Sequence, residues 1–500
     1  MKVRGHYFFS SFLLLLASAM QQAVAAGPAE RILDNFDSLT PWTAQHSDDV
    51  SASLSSVEGK AGKALRLDFN FTGAGGKPVN GYATARRTLP LDLPDNYELS
   101  FWVRGDSPVN TFQLKLIDAS GANVWWLNRP DFAFPHDWQQ IRIRKRQIEF
   151  AWGPATDHTL RHVASIEFVV SSGRDGGKGS VQIDDLVLRE LPPPDTTALP
   201  PRLSATSALK DAPAAAAMDG NLQSQWRSDP SQSPAQQFDI DLGKPREIGG
   251  FVLHWRYGER PTSWTHEESL DGKQWAPCNG LGERVGDDDL FTVCAPEVRF
   301  VRLKLAADEG LGYGLNEIEI KEAGWGATPN AFYLDIAKRV RRGVYPRGFV
   351  EQPYWTLVGV DGVSDPALIS EDGAIEPRKG GWSIEPFLLV DGVRVTWADM
   401  RSTQSLADNY LPLPIVELVT AKLRLRVEAF ARGPRDTPQL IVRYRLHNTT
   451  DAPVEATLQL AVRPFQVNPP AQFLNSPGGV SAIRNMRLNG TTLEVDDSAL

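Results

Sequence analysis

Short runs of alternating apolar and polar residues, separated by turn residues, limit most strongly how this chain can fold. Residues 64–69, 98–103 and 112–117 each alternate in this way, with the period of a half-buried strand. The 500 residues include 41 Gly and 36 Pro, enough to punctuate many such strands. The pattern predicts an all-β chain with little helix, and it predicts a β-sandwich of the jelly-roll type in the first third.

Two proline-containing stretches of the sequence predict the domain boundaries. At roughly 150 residues per domain, the length predicts about three domains, and semi-rigid Pro-rich spacers separate domains well. We expect a signal peptide over 1–26, a jelly roll over 27–190, a linker over 191–202, a second domain over 203–322, a linker over 323–329 and a large antiparallel β-supersandwich, cut short, over 330–500.

The N-terminus has the pattern of a secretory signal. Lys2 and Arg4 precede an apolar run over 8–19, and small residues over 23–26 provide a cleavage site. The alternative is a membrane anchor, for which this run is short. We therefore expect a secreted, periplasmic or extracellular protein with no transmembrane segment in the mature chain.

The charge balance argues against nucleic-acid binding. The net charge is −9, whereas nucleic-acid-binding domains are usually basic. Arg142, Arg144 and Arg146 alternate with Ile141 and Ile143, which is typical of a solvated strand face rather than a phosphate-binding patch.

Cys278 and Cys294 are the only cysteines. An exported protein meets an oxidising compartment, so they can form a disulfide. The alternative is two buried thiols. Two cysteines without a histidine cluster in the sequence do not indicate a metal site.

The middle segment has the most specific pattern. Its successive elements are the sequences AMDGN at 217–221, SQW at 224–226, ESLDGKQW at 268–275, VRFVRL at 298–303 and YGLNEI at 313–318. This series resembles the discoidin, or coagulation factor type C, domain, which includes the family 32 carbohydrate-binding modules. The resemblance implies an eight-stranded jelly roll with ligand-binding loops at one end.

Oxygen-bearing side chains cluster in one loop of this segment. Asp219, Asn221 and Ser224 surround a glycine, and Glu317 can approach them from the last strand. Hard oxygen ligands suit Ca²⁺, and the resemblance implies a structural calcium held by Asp219 and Glu317. The alternative is a turn held by side-chain hydrogen bonds.

Further loop residues are candidates for ligand contact. The resemblance implies an aromatic platform with polar partners, for which we select His254, Tyr257, Arg260 and Trp264. Trp226, Trp255 and Trp275 are equally well explained as core residues. Discoidin domains also bind phospholipid or protein, and the sequence leaves these alternatives open.

The first segment resembles galactose-binding-like carbohydrate-binding jelly rolls. The sequence LDNFD at 33–37 and VQIDDL at 181–186 are the matching ends, and the resemblance implies a calcium near Asp37 and Asp185. Trp125, Trp126, Asn128 and Arg129 are candidates for a sugar platform, because aromatic rings stack on sugars and polar forks bind hydroxyl pairs. Adjacent residues of a strand point to opposite faces, so we expect one of the two indoles to be exposed.

The third segment opens with a predicted helix capped by Asn330 and ended by Gly343. Its later sequences YWTL at 354–357, EDG at 371–373, WSIEPF at 382–387 and AD at 398–399 weakly resemble the N-terminal β-supersandwich of six-hairpin glycosidases. In that family the catalytic carboxylates lie on a helical barrel that follows.

No complete catalytic site is visible in the sequence. Glycosidases need a pair of carboxylates, and no spacing selects a pair here. We therefore interpret each acid of this segment, by default, as a surface or turn carboxylate. These acids are Glu351, Glu371, Glu376, Glu385 and Asp399.

Together these features predict an exported protein that binds a polysaccharide or glycoconjugate. We expect it to be the non-catalytic N-terminal part of a polysaccharide-degrading glycoside hydrolase or phosphorylase-like enzyme, with the catalytic part beyond residue 500. The alternative is an adhesion protein without catalysis, which binds glycans, lipid or protein through its discoidin domain.

Overall fold

The computed structural model describes residues 30–73, 79–173, 176–192, 199–232, 235–306, 312–363, 365–435, 437–472, 478–496 and 498–499. The predicted signal peptide lies outside the described residues, as does part of the first linker. The chain divides into two compact units, Met1–Pro193 and Pro194–Leu500. No helix within the described ranges has the length and apolar character needed to cross a bilayer.

The first unit is built from strands alone, apart from a short 3₁₀ turn at Lys145–Gln147. Its strands are β1 (Glu30–Asp34), β2 (Trp42–His46), β3 (Ser51–Glu58), β4 (Lys63–Asn70), β5 (Tyr82–Asp92), β6 (Tyr97–Asp106), β7 (Asn110–Ile117), β8 (Val124–Phe132), β9 (Gln139–Arg144), β10 (Glu149–Trp152), β11 (His162–Ser171) and β12 (Lys178–Glu190).

Two antiparallel sheets form this unit. The first has the order β3-β4-β12-β6-β9, with β1 paired to β12, and the second has the order β10-β8-β7-β11-β5-β2. Inward side chains such as Leu67, Phe101, Phe112 and Phe168 form one continuous core. The strands predicted from alternation are present, and the unit is the two-sheet sandwich that the pattern predicts.

The first part of the second unit is also a two-sheet sandwich. Its strands are β13 (Arg202–Ala205), β14 (Trp226–Arg227), β15 (Gln236–Arg246), β16 (Ile248–Trp255), β17 (Trp264–Ser269), β18 (Ala276–Cys278), β19 (Gly282–Val285), β20 (Asp288–Thr292), β21 (Val298–Leu305) and β22 (Gly314–Glu322). The sheet orders are β13-β15-β21-β17-β18 and β14-β22-β16-β20-β19. Trp226, Phe238 and Phe251 lie in the core between them.

A single α-helix stands out in the described part of the chain, α1 (Pro329–Arg339). Its N-cap is Thr328, whose hydroxyl accepts from the backbone of Ala331, and Pro329 occupies the first turn. The cap therefore lies two residues before Asn330, the cap that the sequence predicts, because Pro329 is preset to helical φ and begins the helix. Phe332 and Ile336 are buried, as expected.

The remainder of the second unit consists of strands and two short 3₁₀ turns, Arg347–Phe349 and Trp397–Asp399. The strands are β23 (Trp355–Val358), β24 (Ala367–Ser370), β25 (Ile375–Glu376), β26 (Ser383–Val390), β27 (Val393–Val395), β28 (Arg401–Ala407), β29 (Leu411–Val419), β30 (Leu423–Arg432), β31 (Gln439–Asn448), β32 (Ala456–Arg463), β33 (Met486–Asn489), β34 (Thr492–Val495) and β35 (Ser498–Ala499). The order β23-β24-β25-β26-β27, with β32 paired to β26, faces the sheet β28-β29-β30-β31 across a shared core.

Helix α1 joins the two parts of the second unit. Phe332 and Ile336 pack into one cluster with Val252 and Leu290, which lie on the outer face of the β16–β20 pair, and with Phe465. An apolar cluster of this kind stabilises a fixed arrangement of packed elements. The predicted boundary at 323–329 therefore falls in a packed region that contains a 3₁₀ turn at Ala323–Gly326.

Candidate functional site

The outer face of the second sheet in the first unit carries an unbroken row of polar and aromatic side chains. The row runs across five neighbouring strands through directly paired residues, in the order Arg86, Glu167, Lys115, Trp126 and Glu149. Side chains at paired positions point to the same face and contact one another. The row therefore contains two cations, two carboxylates and an indole.

Several polar side chains on this outer face are buried. Thr84, Gln113, Ser165 and Glu167 are each less than 10% exposed. Arg86 donates to Glu167 Oε1 at 3.0 Å and to the Ser165 hydroxyl at 3.2 Å. Polar groups removed from water in this way normally find partners, and Arg86, Glu167 and Ser165 find theirs in one another.

Gln113 is only partly satisfied. Its Nε2 donates to Asn128 Oδ1 at 2.8 Å, and its Oε1 has no hydrogen-bond partner among the described residues although the side chain is 7% exposed. An unpaired acceptor in such a position costs free energy until a donor reaches it.

Two exposed aromatic rings flank Lys115, which lies beside Gln113 on the same face. Its Nζ lies 5.9 Å from the ring centroid of Tyr82 and 5.2 Å from that of Trp152. The two rings are 42% and 40% exposed. Burial lowers the pKa of Lys115, and the nearby charge of Glu167 opposes this shift. Lys115 makes no ion pair with any described carboxylate within 4.0 Å.

The structure corrects the expected exposure of the indoles in β8. Trp125 and Trp126 are both 5% exposed. Trp125 points into the core, where its Nε1 donates to the carbonyl of His158 at 2.6 Å. Trp126 points outward, but Trp152 covers it edge-on at 5.4 Å. Neither indole presents an open face, because β10 pairs with β8 and carries Trp152 over it.

The other two candidates of this strand differ in position. Asn128 belongs to the outer face through its contact with Gln113. Arg129 lies over the ring of Phe132, 5.9 Å from its centroid, and burial lowers its pKa. Tyr82, Gln113, Lys115 and Trp152 were not selected from the sequence, although the outward positions of predicted strands were a usable signal for them.

The four predicted calcium ligands of the second unit lie at one turn. The backbone N–H of Gly220 donates to Glu317 at 3.1 Å. Asp219 Oδ1 accepts from the backbone of Asn221 at 3.0 Å and lies 2.7 Å from the Ser224 hydroxyl. Asn221 Oδ1 accepts from a neighbouring backbone amide. Both the oxygen cluster and the side-chain-held turn of the alternative are therefore present.

A second acidic group surrounds the turn before β4. Asp37 accepts from the backbone of Lys63 at 3.0 Å, and Asp184 accepts from the backbone of Lys60 at 2.7 Å. Burial raises the pKa of Asp185, and the charges of Asp184 and Asp37 raise it further, which places the three carboxyls near one another. Asp184, which directly precedes Asp185 in the sequence VQIDDL, was not among the residues selected from the sequence.

The four loop candidates of the second unit do not form one cluster. Trp264 Nε1 donates to Asp289 at 2.8 Å, and Arg260 lies 3.8 Å from the same carboxylate. Tyr257 stands alone on its loop at 87% exposure. His254 lies on the outer sheet face, away from the other three.

His254 bridges two acids instead of lining a loop. Its ring nitrogens lie 2.8 Å from Asp288 and 3.1 Å from Glu319. The hydrogen bond to Asp288 raises the pKa of His254, although burial opposes this. The ion pairs explain this histidine without a ligand.

Cys278 and Cys294 form a disulfide. Of the two alternatives left open by the sequence, the bridge is the one present, and it connects the end of β18 to the loop after β20.

The acids of the third segment are not all surface groups. Glu376 is fully buried and accepts backbone hydrogen bonds from Gly380, Val467 and Asn468 at 2.5, 2.7 and 3.2 Å. Burial raises the pKa of Glu376 to about 7.

Glu385 is also buried and pairs with Arg463 at 2.9 Å. The default of a surface or turn carboxylate is thus wrong for Glu376 and Glu385. The remaining three acids pair with arginines: Glu351 with Arg342, Glu371 with Arg347, and Asp399 with Arg341.

Comparisons with known proteins gave a family-model match and similar solved structures. Residues 202–318 match the family model of the F5/8 type C domain. A sequence comparison with curated proteins gave no match. Among solved structures, the chain is similar to a family 11 carbohydrate-binding module of a cellulosomal cellulase of Clostridium thermocellum, at 19% identity over 33% of this chain and 95% of that chain, with a TM-score of 0.27.

Two further structures are similar over a quarter of the chain. One is a family 32 module of Clostridium perfringens in complex with GalNAc-β-1,3-galactose, at 22% identity over 25% of this chain and 99% of that chain, with a TM-score of 0.23. The other is a chitosan-binding module of Paenibacillus sp. IK-5 in complex with chitotriose, at 26% identity, 25% and 98% coverage and a TM-score of 0.22. The family-model match assigns residues 202–318 to the F5/8 type C, or discoidin, domain family.

Proposed function

We propose that this protein binds carbohydrate, and that a glycan chain lies across the outer face of the second sheet in the first unit. The observation that carries the proposal is Gln113 Oε1, a buried acceptor without a described partner, on the same face as Lys115, which two exposed rings flank. A sugar hydroxyl supplies the missing donor, and the faces of Tyr82 and Trp152 offer apolar stacking surfaces.

The charges of the face favour a neutral glycan. Arg86 and Glu167 pair directly, and Lys115 and Glu149 contribute one charge of each sign to the same row. A face with balanced donors and acceptors matches hydroxyl groups, which donate and accept together.

Binding to a panel of soluble neutral polysaccharides tests this site, by affinity electrophoresis followed by calorimetry. We expect Tyr82→Ala and Trp152→Ala to weaken binding at least tenfold each. Tyr257→Ala, which removes an exposed tyrosine of the other unit, is the control and should leave glycan binding by the first unit unchanged. Wild-type affinity in both the Tyr82 and the Trp152 variants would exclude this face.

The loop end of the discoidin domain is a second candidate surface. Tyr257 protrudes there at 87% exposure, and Arg260 and Trp264 lie nearby at Asp289. A glycan array and anionic liposomes, each tested with wild type and Tyr257→Ala, separate a sugar-binding loop end from a lipid-binding one. Liposome binding without any glycan binding would favour the adhesion alternative.

Three wider statements belong to the same proposal. Calcium stabilises the Asp219–Glu317 turn and the group of Asp37, Asp184 and Asp185, whose oxygen ligands suit that ion. The protein is exported through its N-terminal signal. It serves a polysaccharide-degrading enzyme, for which the weak glycosidase resemblance of the third segment is the support. Secretion of the native chain, with N-terminal sequencing of the mature form, tests the second statement.

A further inference from the structure

A histidine and a glutamate lie beside the disulfide of the discoidin domain. His266 and Glu268 are on β17, directly next to β18, where His266 pairs with Cys278. One ligand atom from each of His266, Glu268 and Cys278 lies within 4.8 Å of the other two. The sequence offered no sign of this group, because Cys278 lies 10 residues after Glu268 and 12 after His266, and only strand pairing brings it back to them.

His266 has an unused nitrogen. The side chain is 6% exposed, and its Nε2 has no hydrogen-bond partner among the described residues. The nearest carboxylate oxygen, Glu268 Oε1, is 3.5 Å away. Glu268 is held in place by the backbone N–H groups of Cys294 and Ala295, each at 2.8 Å. The carboxylate is thus fixed at the disulfide with lone pairs to spare.

We propose that reduction of the disulfide creates a metal site for Zn²⁺, with Cys278, Cys294, His266 and Glu268 as its four ligands. Two thiolates, one imidazole and one carboxylate are ligands that Zn²⁺ takes in tetrahedral sites. The disulfide masks this site, because its sulfurs are bonded to each other and neither is a thiolate.

The geometry requires only small movements. A tetrahedron with bonds of 2.0 to 2.3 Å has ligand-to-ligand edges of about 3.3 to 3.8 Å. The atoms of His266, Glu268 and Cys278 already lie within 4.8 Å of one another. The two sulfurs must separate after reduction, and their Cα atoms are 5.6 Å apart.

The redox step is balanced by an external dithiol. The dithiol gives two electrons and two protons, the bond between the two sulfurs breaks, and the reductant becomes a cyclic disulfide. Zn²⁺ binding then releases the two thiol protons. A thiolate of the dithiol attacks the sulfur of Cys294, because Cys294 is exposed whereas Cys278 is buried.

Cobalt titration of the full chain tests the proposal. The oxidised protein and protein reduced with a dithiol, freed of reductant under argon, are each titrated with Co²⁺ and then with Zn²⁺. We expect the reduced protein to bind one Co²⁺ with the thiolate charge-transfer band and intense visible bands of a tetrahedral site, and Zn²⁺ to displace it. The oxidised protein should show neither band.

Variants distinguish a four-ligand metal site from metal binding by the two thiols alone. His266→Phe and Glu268→Gln should weaken Zn²⁺ binding of the reduced chain at least tenfold. Glu267→Gln, which alters the neighbouring residue on the opposite face of β17, should leave it unchanged. Equal binding by reduced and oxidised protein, or undiminished affinity in His266→Phe, overturns the proposal. Circular dichroism monitors folding after reduction. Unfolding that Zn²⁺ does not reverse would also overturn the proposal.

Discussion

Gln113 donates through Nε2 to Asn128 Oδ1 at 2.8 Å, and this contact leaves the Oε1 of Gln113 buried without a described partner. The contact fixes the orientation of the amide, and Gln113 lies two residues from Lys115 on the same face of β7. A buried acceptor without a partner calls for an explanation, and a donor group of a ligand is the one that we propose.

Gln113→Leu should therefore separate binding from stability. Replacing the orphan acceptor by an apolar side chain of similar size should change the free energy of unfolding by less than about 1 kcal/mol, while glycan affinity falls at least tenfold. Denaturant unfolding and calorimetry measure the two quantities. Gln45→Leu, on the edge strand of the same face, is the control. A large loss of stability with unchanged affinity would mean that Gln113 is only structural.

Calcium should raise the melting temperature of protein stripped with a chelator. Glu317 accepts from the backbone of Gly220, and Asp219 accepts from that of the next residue, Asn221. Asp219→Ala should therefore abolish the calcium-dependent rise in melting temperature that this turn contributes. Asp229→Ala removes a similar side-chain-held turn in the next loop and should leave the calcium response intact. If calcium changes the melting temperature of neither the wild type nor the Asp229 variant, the role of Asp219 is only to hold the turn by hydrogen bonds.

Removal of the disulfide should cost about 3 kcal/mol, the loop-entropy value for a closed loop of this length. The bridge joins residues 16 apart in sequence. The Cys278→Ser, Cys294→Ser double variant should unfold at lower denaturant concentration than the oxidised wild type. Titration of denatured wild type with a thiol reagent should find no free thiol; two reactive thiols would contradict the bridge.

Glu376 should make the second unit less stable as the pH rises from about 4.5 to 7. Burial raises the pKa of Glu376 to about 7, so the folded state holds its proton more tightly than the unfolded state does. The stabilisation is complete below the unfolded pKa and lost as pH passes the folded one. At about 1.4 kcal/mol per pKa unit the loss is of order 3 kcal/mol. Unfolding at pH 4.5 and 7.5 measures it, and a flat profile would contradict it.

His254 should contribute stability at acid pH. Because the hydrogen bond to Asp288 raises the pKa of His254, its contribution is complete below the unfolded pKa and lost as pH rises through the folded value. In Asp288→Asn the pKa of His254, followed by NMR, should fall. An unchanged titration would show that Asp288 does not set it.

Much of the architecture follows from the sequence. Alternation with period two marks β4, β6 and β7, because a half-buried strand must place apolar side chains on one face. The ordered series from Asp219 to Glu317 was specific enough to predict the discoidin domain that the family model matches. These features are local, or they lie along the chain in a fixed order.

The candidate sites depended on strand pairing. Lys115 meets Trp126 and Glu167 only through the register of three strands, and Trp126 is covered because Trp152 arrives on β10. His266 meets the disulfide because β17 pairs with β18. Alternation states which face a side chain occupies, but it carries no information about which strand becomes the neighbour. The sequence by itself therefore determined strands, fold class and the discoidin domain, and the tertiary structure alone decided which polar groups share a face and which indoles are covered.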